Sequence, residues 1–504
     1  MKALQTALLI LAGAGTLAPL RAQYTSPAAA PTSPGELDAW LTANVPGFTG
    51  WDIGVDERFR LEDRRGAGTT NAGSNFDFSA SPTARTDNHY WISRLMPRVG
   101  WSGGWISAMV ELRSSYSWGD ERYSPTAPGK ALVDDDGPLQ IEQAYVALGD
   151  AKKGPVSVKV GRQELAFGEQ RLIGSAMWLN VPHTFDAVRA TWMQPGWTVD
   201  AFTGGLVYTR RDHFDESDPH DRLSGFNVDT TALVPNVTFD AYLFARNVSR
   251  EVVGDDWAFT PAPFRFPGPQ DLYTLGVRGK SKPGSLGPWD WSFEGMWQLG
   301  NRTAVYPGTT VAVAEKAPRL TQDAWAFVAQ TGYSFKGLPW KQRVALIVSA
   351  ASGNQGDAGK SQTFQNLLPS NHDLYGVMDL SGLQNLVDYR LSWSMKPTTT
   401  TSIAIDAHQQ YLETTSDFWY NAASAPRNTP GATPGSGRGF NINPGYSSDL
   451  GQELDLIAGW KVCKGLTVEI GAGHFFRGDY IKESFAAVGS HDANYGFFQT
   501  TAHF

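Results

Sequence analysis

The chain has a single cysteine among its 504 residues, Cys463, which excludes a disulfide framework and any cysteine-rich metal site. It also lacks the common catalytic and nucleotide-binding motifs: there is no GxSxG, no phosphate-binding loop, no GxGxxG that opens a helix and no HExxH. Beyond the N-terminal region, no apolar run approaches the length of a membrane-spanning helix, and the mean hydropathy is −0.30. The formal net charge of −8 argues against nucleic acid as a partner.

The N-terminal region carries the one long apolar run. A positively charged start precedes Ala7–Leu20, and small residues follow around Ala22. This order is typical of a secretory signal peptide, which we predict for residues 1–22. The Pro-, Ala- and Ser-rich stretch that follows predicts a flexible periplasmic spacer over residues 23–47. One domain is then expected over residues 48–504.

The rest of the chain alternates between strand-like segments and turns. Eighteen such segments lie between Trp51 and Phe504, and their connections are in turn short and long. The short ones include Trp101–Gly104, Gly149–Pro155, Gln194–Gly196, Val234–Asn236, Phe335–Pro339 and Cys463–Gly465. The long ones include Asp63–Asn88, Tyr116–Pro138, Asn247–Gln270, Gly353–Asn385 and Glu413–Leu450. A soluble β-sandwich has no reason to collect its long loops at one end, whereas a transmembrane β-barrel has short periplasmic turns and long outer loops.

The segments also alternate apolar and polar residues with the period of a β-strand. Ile106 and Val110 share one face of the third segment, and Glu111 and Arg113 share the other. Apolar faces toward lipid and polar faces toward a wet lumen explain this pattern. We therefore predict an all-β fold, an 18-stranded antiparallel transmembrane β-barrel in the bacterial outer membrane.

Arginine is the clearest chemical signal. Arg58, Arg60, Arg94, Arg98 and Arg113 fall on the polar faces of the first three strands, so they line one wall of the predicted lumen. Further arginines on polar faces are Arg189, Arg246, Arg278, Arg343 and Arg390. Guanidinium groups match carboxylates and phosphates, and a ring of them selects anions. The alternative is a generic pore wall in which arginines pair with Glu62, Glu111, Glu142, Glu294, Asp388, Glu453, Asp455 and Glu469.

Two acidic clusters, Asp134–Asp136 and Asp212–Asp221, lie in long loops. Solvated loop charge is the leading interpretation. Binding of Ca²⁺, or of divalent ions that bridge lipopolysaccharide, is the alternative. His213 and His220 do not have the spacing of a zinc motif. We therefore predict no cofactor and no metal site.

Three blocks of sequence resemble the alginate-export family of outer-membrane β-barrels, and the similarity runs from about Trp51 to Phe504. The first block comprises Gly161–Leu165, Gly168–Gly174, Trp178 and Thr184–Arg189. The second comprises Ala351–Asn354, Thr363–Phe364, Pro369, Asn371–His372, Tyr375–Gly376, Met378–Leu380 and Asn385–Leu386. The third comprises Gly451–Leu456, Gly473–Phe476 and Gly478–Tyr480.

The resemblance implies an 18-stranded barrel whose arginine-rich constriction passes an anionic uronate polysaccharide. It implies that Arg162, Arg171 and Arg189 lie near that constriction, with the connection Glu164–Thr184 folded inward. As counter-charges along the pore we assign Glu169, Asp186, Glu294, Glu453 and Asp455. The alginate secretion porin of this family has a long periplasmic loop that plugs its pore, but the corresponding turn in this chain, Cys463–Gly465, is minimal.

Three functions compete at this point. The leading one is an outer-membrane channel for an alginate-like polysaccharide, surrounded by lipid and lipopolysaccharide and served by periplasmic export components. The second is a general or nutrient-uptake porin for small anionic solutes or sugars. The third is a secreted all-β enzyme that degrades polysaccharide, which requires a water-soluble protein.

Overall fold

The computed structural model describes residues 36–66, 78–81, 87–120, 139–149, 154–208, 214–249, 269–282, 284–303, 317–372, 374–424, 426–429 and 431–504. Twenty strands in these residues form one sheet. Two of them, Glu216–Ser217 and Lys360–Ser361, have two residues each. The others are β1 (Trp51–Arg65), β2 (Asp87–Gly103), β3 (Ile106–Trp118), β4 (Gln140–Leu148), β5 (Val156–Gln163), β6 (Phe185–Gln194), β7 (Trp197–Tyr208), β8 (Asp221–Thr230), β9 (Val237–Val248), β10 (Gln270–Ser281), β11 (Trp289–Thr303), β12 (Arg319–Ser334), β13 (Arg343–Ala351), β14 (Leu386–Met395), β15 (Thr401–Tyr411), β16 (Asp449–Cys463), β17 (Leu466–Arg477) and β18 (Ala493–His503).

The eighteen long strands close on themselves. Each pairs antiparallel with the next long strand along the chain, and β1 also pairs with β18. At the seam, the amide of Val55 donates to the carbonyl of Phe504 at 3.1 Å, and the amide of Phe504 donates back at 2.9 Å. Closure leaves the sheet without a free edge. The predicted 18-stranded antiparallel barrel is therefore confirmed.

The connections alternate as predicted. Only two residues join β2 to β3, β6 to β7 and β16 to β17, whereas the alternate connections are long and lie at the opposite end of the barrel. Gly104 and Gly196 have φ of +60° and +77° in the first two of these turns. Glycine reaches this left-handed region without a steric penalty, which allows a two-residue turn between antiparallel strands.

The outer surface is apolar between two aromatic girdles. At the end with short turns, the exposed aromatic side chains are Trp51, Trp101, Trp105, Trp192, Trp289, Trp340, Trp393 and Trp460. At the end with long loops they are Trp91, Tyr116, Trp118, Tyr273, Trp297, Tyr389 and Phe476. Exposed aliphatic residues such as Val99, Val110 and Leu275 lie between the girdles. This distribution is typical of a barrel that spans a bilayer.

A β-bulge in β4 changes the face of that strand. Glu111 of β3 pairs with Gln143, but the next residue, Leu112, pairs with Ile141, so Glu142 is the extra residue. Both Glu142 and Gln143 make hydrogen bonds to lumen-facing side chains of β3. The bulge therefore turns two successive polar residues into the lumen.

The lumen is not an empty tube. Three long connections, 164–184, 352–385 and 412–448, contribute buried apolar residues to one cluster with the inner wall. Leu165, Ile173, Phe364 and Trp419 are among the most deeply buried of these. The predicted inward fold of the 164–184 connection is confirmed.

Two short α-helices flank the barrel, α1 (Glu36–Asn44) and α2 (Asp479–Ser484). The first lies within the predicted spacer, so the described part of that spacer is partly helical. Asp38 fixes α1 to the wall by accepting a hydrogen bond from the amide of Ile53 at 3.2 Å. No helix within the described residues is both long and apolar enough to cross a membrane. The predicted signal peptide, residues 1–22, lies outside the described part of the chain.

Candidate functional site: the lumen

Six arginines of β1 and its neighbours form what we call the arginine wall. All six side chains point into the lumen and are buried: Arg58, Arg60, Arg64, Arg94, Arg98 and Arg113. Strand parity had placed five of them on this face, and the structure agrees for each. Their burial was not foreseen, because it comes from a loop that covers them.

Arg58 and Arg94 hold that covering loop. The Nη1 atom of Arg58 donates to the carbonyl oxygens of Met177 and Trp178 at 2.7 and 2.9 Å, and Nη2 donates to the carbonyl of Leu179 at 3.0 Å. Arg94 donates to the carbonyls of Met177 and Leu179 at 3.0 and 2.8 Å. A peptide segment has no charge of its own, so these bonds position the loop without cancelling the charge of either arginine.

Arg60 starts a stacked column across the lumen. Its guanidinium lies 3.7 Å from the centroid of the Trp178 ring, a cation–π distance. Trp178 also stacks on His372, whose ring is parallel to it at a centroid distance of 3.6 Å. His372 in turn contacts the carboxylate of Asp379 at 3.0 Å. The column joins the 164–184 loop to the 352–385 loop.

The same two loops also share backbone hydrogen bonds. The amide of Gly174 donates to the carbonyl of Leu368 at 3.0 Å, and the amide of Leu368 donates to the carbonyl of Leu172 at 2.9 Å. The amide of Ser370 donates to the carbonyl of Gln170, also at 2.9 Å. Together with the stacked column, this isolated parallel bridge and the Ser370–Gln170 bond make the two loops one partition within the lumen.

The other arginines of the wall pair with carboxylates. Glu62 accepts from both Arg60 and Arg64 at 2.7 Å. Nearer the periplasmic end, Arg98 donates to Asp56 at 2.7 Å and to Asp52 at 3.2 Å. Arg113 contacts Glu142 and, from the outer loop after β7, Asp215. The generic pairing that the sequence offered as an alternative therefore describes part of this wall.

A second wall, on β14 to β16, is acidic. This acidic wall consists of Asp388, Asp406, Glu453 and Asp455 around His408, and all five side chains are buried. Glu453 accepts a hydrogen bond from the amide of Met378 at 2.9 Å, and Asp455 accepts one from the amide of Val377 at 3.3 Å. The prediction that these two residues are counter-charges to arginines is wrong, because they contact backbone amides of the 352–385 loop, each other and, for Asp455, His408.

The structure also corrects the placement of Arg162. Arg162 lies directly opposite Asp186 in the β5–β6 ladder, while the adjacent Phe185 and Ala187 pack into the lumen cluster. Arg162 and Asp186 therefore belong to the outer row of side chains, where they form a bidentate pair at 2.9 and 3.1 Å. The carbonyl of Asp215, in the outer loop, accepts a further bond from Arg162. Neither residue lines the pore, because the alternation of β5 and β6 directs both outward.

The remaining predicted arginines lie on the inner face, each beside an acid. Arg171 lies 3.2 Å from Glu294, as the predicted counter-charge requires. Glu169, another assigned counter-charge, accepts a hydrogen bond from Arg278 at 2.8 Å. The other pairs are Arg189 with Asp200, Arg246 with Asp221, Arg278 with Asp240, Arg343 with Asp290 and Arg390 with Asp406.

The acidic cluster Asp212–Asp221 and Lys280 differ from what the sequence predicted. The cluster Asp212–Asp221 was interpreted as solvated charge or a calcium site, but Asp215 and Asp221 are buried against Arg113 and Arg246. The other cluster, Asp134–Asp136, lies outside the described residues. Lys280 was not predicted, although it shares the inward face of β10 with Arg278, and its Nζ donates to Glu169 at 2.7 Å.

Two titratable groups in the 164–184 loop have shifted pKa values. Burial, with Glu142 nearby, raises the pKa of Glu164 to about 7 against the opposing charges of Arg94 and Lys159. Burial lowers the pKa of His183 to about 4. At neutral pH His183 is thus uncharged, and Glu164 is poised between its two forms.

In the described part of the chain, no group of three or more His, Cys, Asp or Glu side chains could hold a metal ion. What the lumen offers chemically is charge and hydrogen bonding: guanidinium and ammonium donors on one side, carboxylates on another, and a two-loop partition between them. Such an arrangement discriminates among permeating solutes.

The comparisons with known proteins agree with this architecture. The family model for alginate export matches residues 57–495. Among solved structures of Pseudomonas aeruginosa proteins, OpdO is 12% identical with a TM-score of 0.51, covering 90% of this chain and 97% of its own. OccK2 (OpdF) in complex with glucuronate is 11% identical with a TM-score of 0.52, covering 90% and 96%. No curated protein matched the sequence. The chain is a channel of the bacterial outer membrane, not an enzyme, and it belongs to the alginate export family.

Proposed function

We propose that this channel passes anionic solutes with uronate chemistry, and that its leading substrate is an alginate-like polysaccharide. The observation that carries the proposal is the use of Arg58 and Arg94 in the arginine wall. Both guanidiniums point into the lumen and donate to carbonyl groups of the 164–184 loop, where that loop narrows the lumen. Fixed positive charge between low-dielectric walls raises the local concentration of anions.

Three further considerations support this choice. Alginate is a chain of uronate sugars, each with one carboxylate, and a guanidinium is the side chain whose donor geometry matches that group. The family that this chain belongs to is defined by alginate export. In addition, the complex of OccK2 (OpdF) contains glucuronate, a single uronate sugar, which is the repeating chemistry of the proposed polymer.

A second candidate is uptake of small anionic solutes. It is favoured by the partition of the 164–184 and 352–385 loops, which is held by backbone hydrogen bonds and by the Trp178–His372 stack. A long polymer requires these loops to move aside, whereas a single sugar acid needs a much narrower path. The two candidates differ in solute length and not in solute charge.

The test is a planar-bilayer recording of the refolded protein in a KCl gradient, followed by addition of oligouronates of increasing length and of matched neutral oligosaccharides. Anion selectivity, with block that tightens as the chain lengthens, supports the polysaccharide conduit. Anion selectivity with free passage of monouronate and no length dependence supports small-solute uptake. A pore without anion preference contradicts both. The variant R94Q, which removes a charge of the arginine wall, is expected to lower anion selectivity. R319Q removes a charge at the outer rim and is the control for general charge effects.

A further inference from the structure

Glu169 lies at the tip of a tight turn in the 164–184 loop. The amide of Gln170 donates to the carbonyl of Phe167 at 2.9 Å, which closes the turn. Gly168 has φ of +58° there, and a Cβ at this position would lie 3.4 Å from Nε of Arg278. Glycine adopts this left-handed conformation without a steric penalty, so the turn forms beside that arginine.

The base of the turn is held independently of Glu169. Phe167 is buried, and its ring stacks on Phe202 at a centroid distance of 5.0 Å and contacts Phe244 at 5.4 Å. These aromatic contacts with β7 and β9 anchor the turn by apolar burial. Neutralising Glu169 is therefore not expected to release the loop.

Three cations surround the Glu169 carboxylate, and we call them the cradle: Arg171, Arg278 and Lys280. Nη1 of Arg278 and Nζ of Lys280 both donate to Oε1 of Glu169, at 2.8 and 2.7 Å. Burial alone would raise the pKa of Glu169, but Lys280, Arg171 and Arg278 together hold it below its ordinary value. The cradle therefore stabilises a carboxylate in its ionised form.

Glu169 differs from the other acids beside the cradle in its access to solvent. Glu294 contacts Arg171 at 3.2 Å and Asp240 contacts Arg278 at 2.6 Å, with side chains only 8% and 2% exposed. The side chain of Glu169 is 26% exposed, and that of Lys280 is 23% exposed. A solute in the lumen can reach Glu169 and Lys280, whereas the two deeper acids are structural partners.

We propose that the cradle is a carboxylate-binding subsite of the pathway, and that Glu169 occupies it as a tethered stand-in for the carboxylate of a permeating uronate. This proposal rests on the proposed function and names the residues at which a uronate carboxylate binds. When a uronate enters, its carboxylate replaces that of Glu169 on Arg278 and Lys280, and Glu169 turns toward solvent. Competition from the Glu169 side chain limits the affinity of the subsite for a solute. A conducting pore requires such limited affinity, because a bound solute must be able to leave.

The inference is tested by measuring block of single-channel current by trigalacturonate in the wild type, E169Q, K280Q and E469Q. Removing the tethered competitor in E169Q is expected to tighten block about tenfold, the change expected from one charge-assisted contact. K280Q is expected to weaken block by a similar factor. E469Q removes a carboxylate from the inward face of β17, on another part of the wall, and is expected to change block little.

The opposite signs for E169Q and K280Q distinguish a subsite from a structural ion pair. If Glu169 and Lys280 only held the loop, both variants would shift block in the same direction, and that result would overturn the subsite. Equal effects of E169Q and E469Q would also overturn it, because they would reflect lumen charge in general. A wild-type pore with neither anion selectivity nor block would instead contradict the proposed function itself. Heat-induced mobility shifts of all four proteins check that each is folded.

Discussion

The arginine wall and the acidic wall use opposite charges for the same task. Arg58 and Arg94 receive the carbonyl groups of the 164–184 loop, whereas Glu453 and Asp455 receive the amides of the 352–385 loop. Each peptide bond has a negative and a positive end, so a loop can be held on either kind of wall. The comparison shows that a charge on the inner face of a barrel does not by itself indicate contact with a solute.

The two walls nevertheless differ in the kind of group that they present to permeating ions. Guanidinium groups face the lumen from the arginine wall and carboxyl groups face it from the acidic wall, so the two walls act on ions with opposite sign. Glu169 and its cradle lie elsewhere, on the loop and on β10. The selectivity of the pore is the balance of these regions, and each can be changed separately.

The largest effect is expected from the double variant R58Q/R94Q. It weakens the charged hydrogen bonds that hold residues 177–180, and such bonds contribute about 1.5 kcal/mol or more each. We expect the loop to be released in most channels, with higher conductance and a loss of anion preference. Single-channel recording measures both. Unchanged conductance would mean that other contacts suffice to hold the loop.

A change of opposite sign in selectivity is expected from E453Q/D455N. The double substitution removes the negative charge that this carboxyl pair contributes to the lumen and so increases anion preference, while the weaker acceptors loosen the 352–385 loop by about 1 kcal/mol per bond. The reversal potential in a KCl gradient measures the first effect, and protease sensitivity of the loop measures the second. An unchanged reversal potential would show that the acidic wall does not act on permeating ions.

A smaller effect is expected at the contact between the two loops. H372A removes the ring stacked on Trp178, and such a stack contributes about 0.5–1.5 kcal/mol. We expect opening events to become a few times more frequent in single-channel traces. H474A is the matched control, because His474 is partly exposed near the end of β17 and contacts Asn494 and Phe476 outside the partition. Equal opening frequencies in H372A and H474A would show that His372 does not stabilise the partition.

The smallest effect is expected from pH. The pKa of Glu164 is raised to about 7, chiefly by burial, so this side chain is mainly neutral at pH 6 and mainly ionised at pH 8. Ionisation adds a negative charge near Arg94, and anion preference should therefore fall as the pH rises through 7. Reversal potentials measured over this range test the sign. In E164Q the slope should become shallower, and an unchanged slope would assign it to another group.

Prediction of the lumen from sequence succeeded where the alternation of a strand decides the face. Arg58, Arg60, Arg94, Arg98 and Arg113 are all on the inner face because side chains alternate across a strand. By the same rule Arg162 lies on the face of Val160, which is exposed on the outer surface, whereas the family resemblance implied that Arg162 points inward. The structure agrees with the strand rule.

The interaction partners of the lumen side chains were harder to predict than the strand faces on which these side chains lie. Lys280 has the same parity as Arg278 and could have been found, but nothing in the sequence pairs it with Glu169, which lies in another part of the chain. Glu453 and Asp455 were paired with arginines because opposite charges attract, yet the amides of an in-folded loop reach them first. A loop that folds back into a lumen leaves no periodic pattern.

The sequence by itself therefore determined the barrel: its strand number, the alternation of turns and loops, and the polarity of each face. These features follow from a local period of two residues and from the need to satisfy every backbone group in a bilayer. Only the tertiary structure decided what the lumen charges do, because the closure of the sheet and the inward fold of two loops bring together residues more than a hundred positions apart, as with Arg58 and Met177.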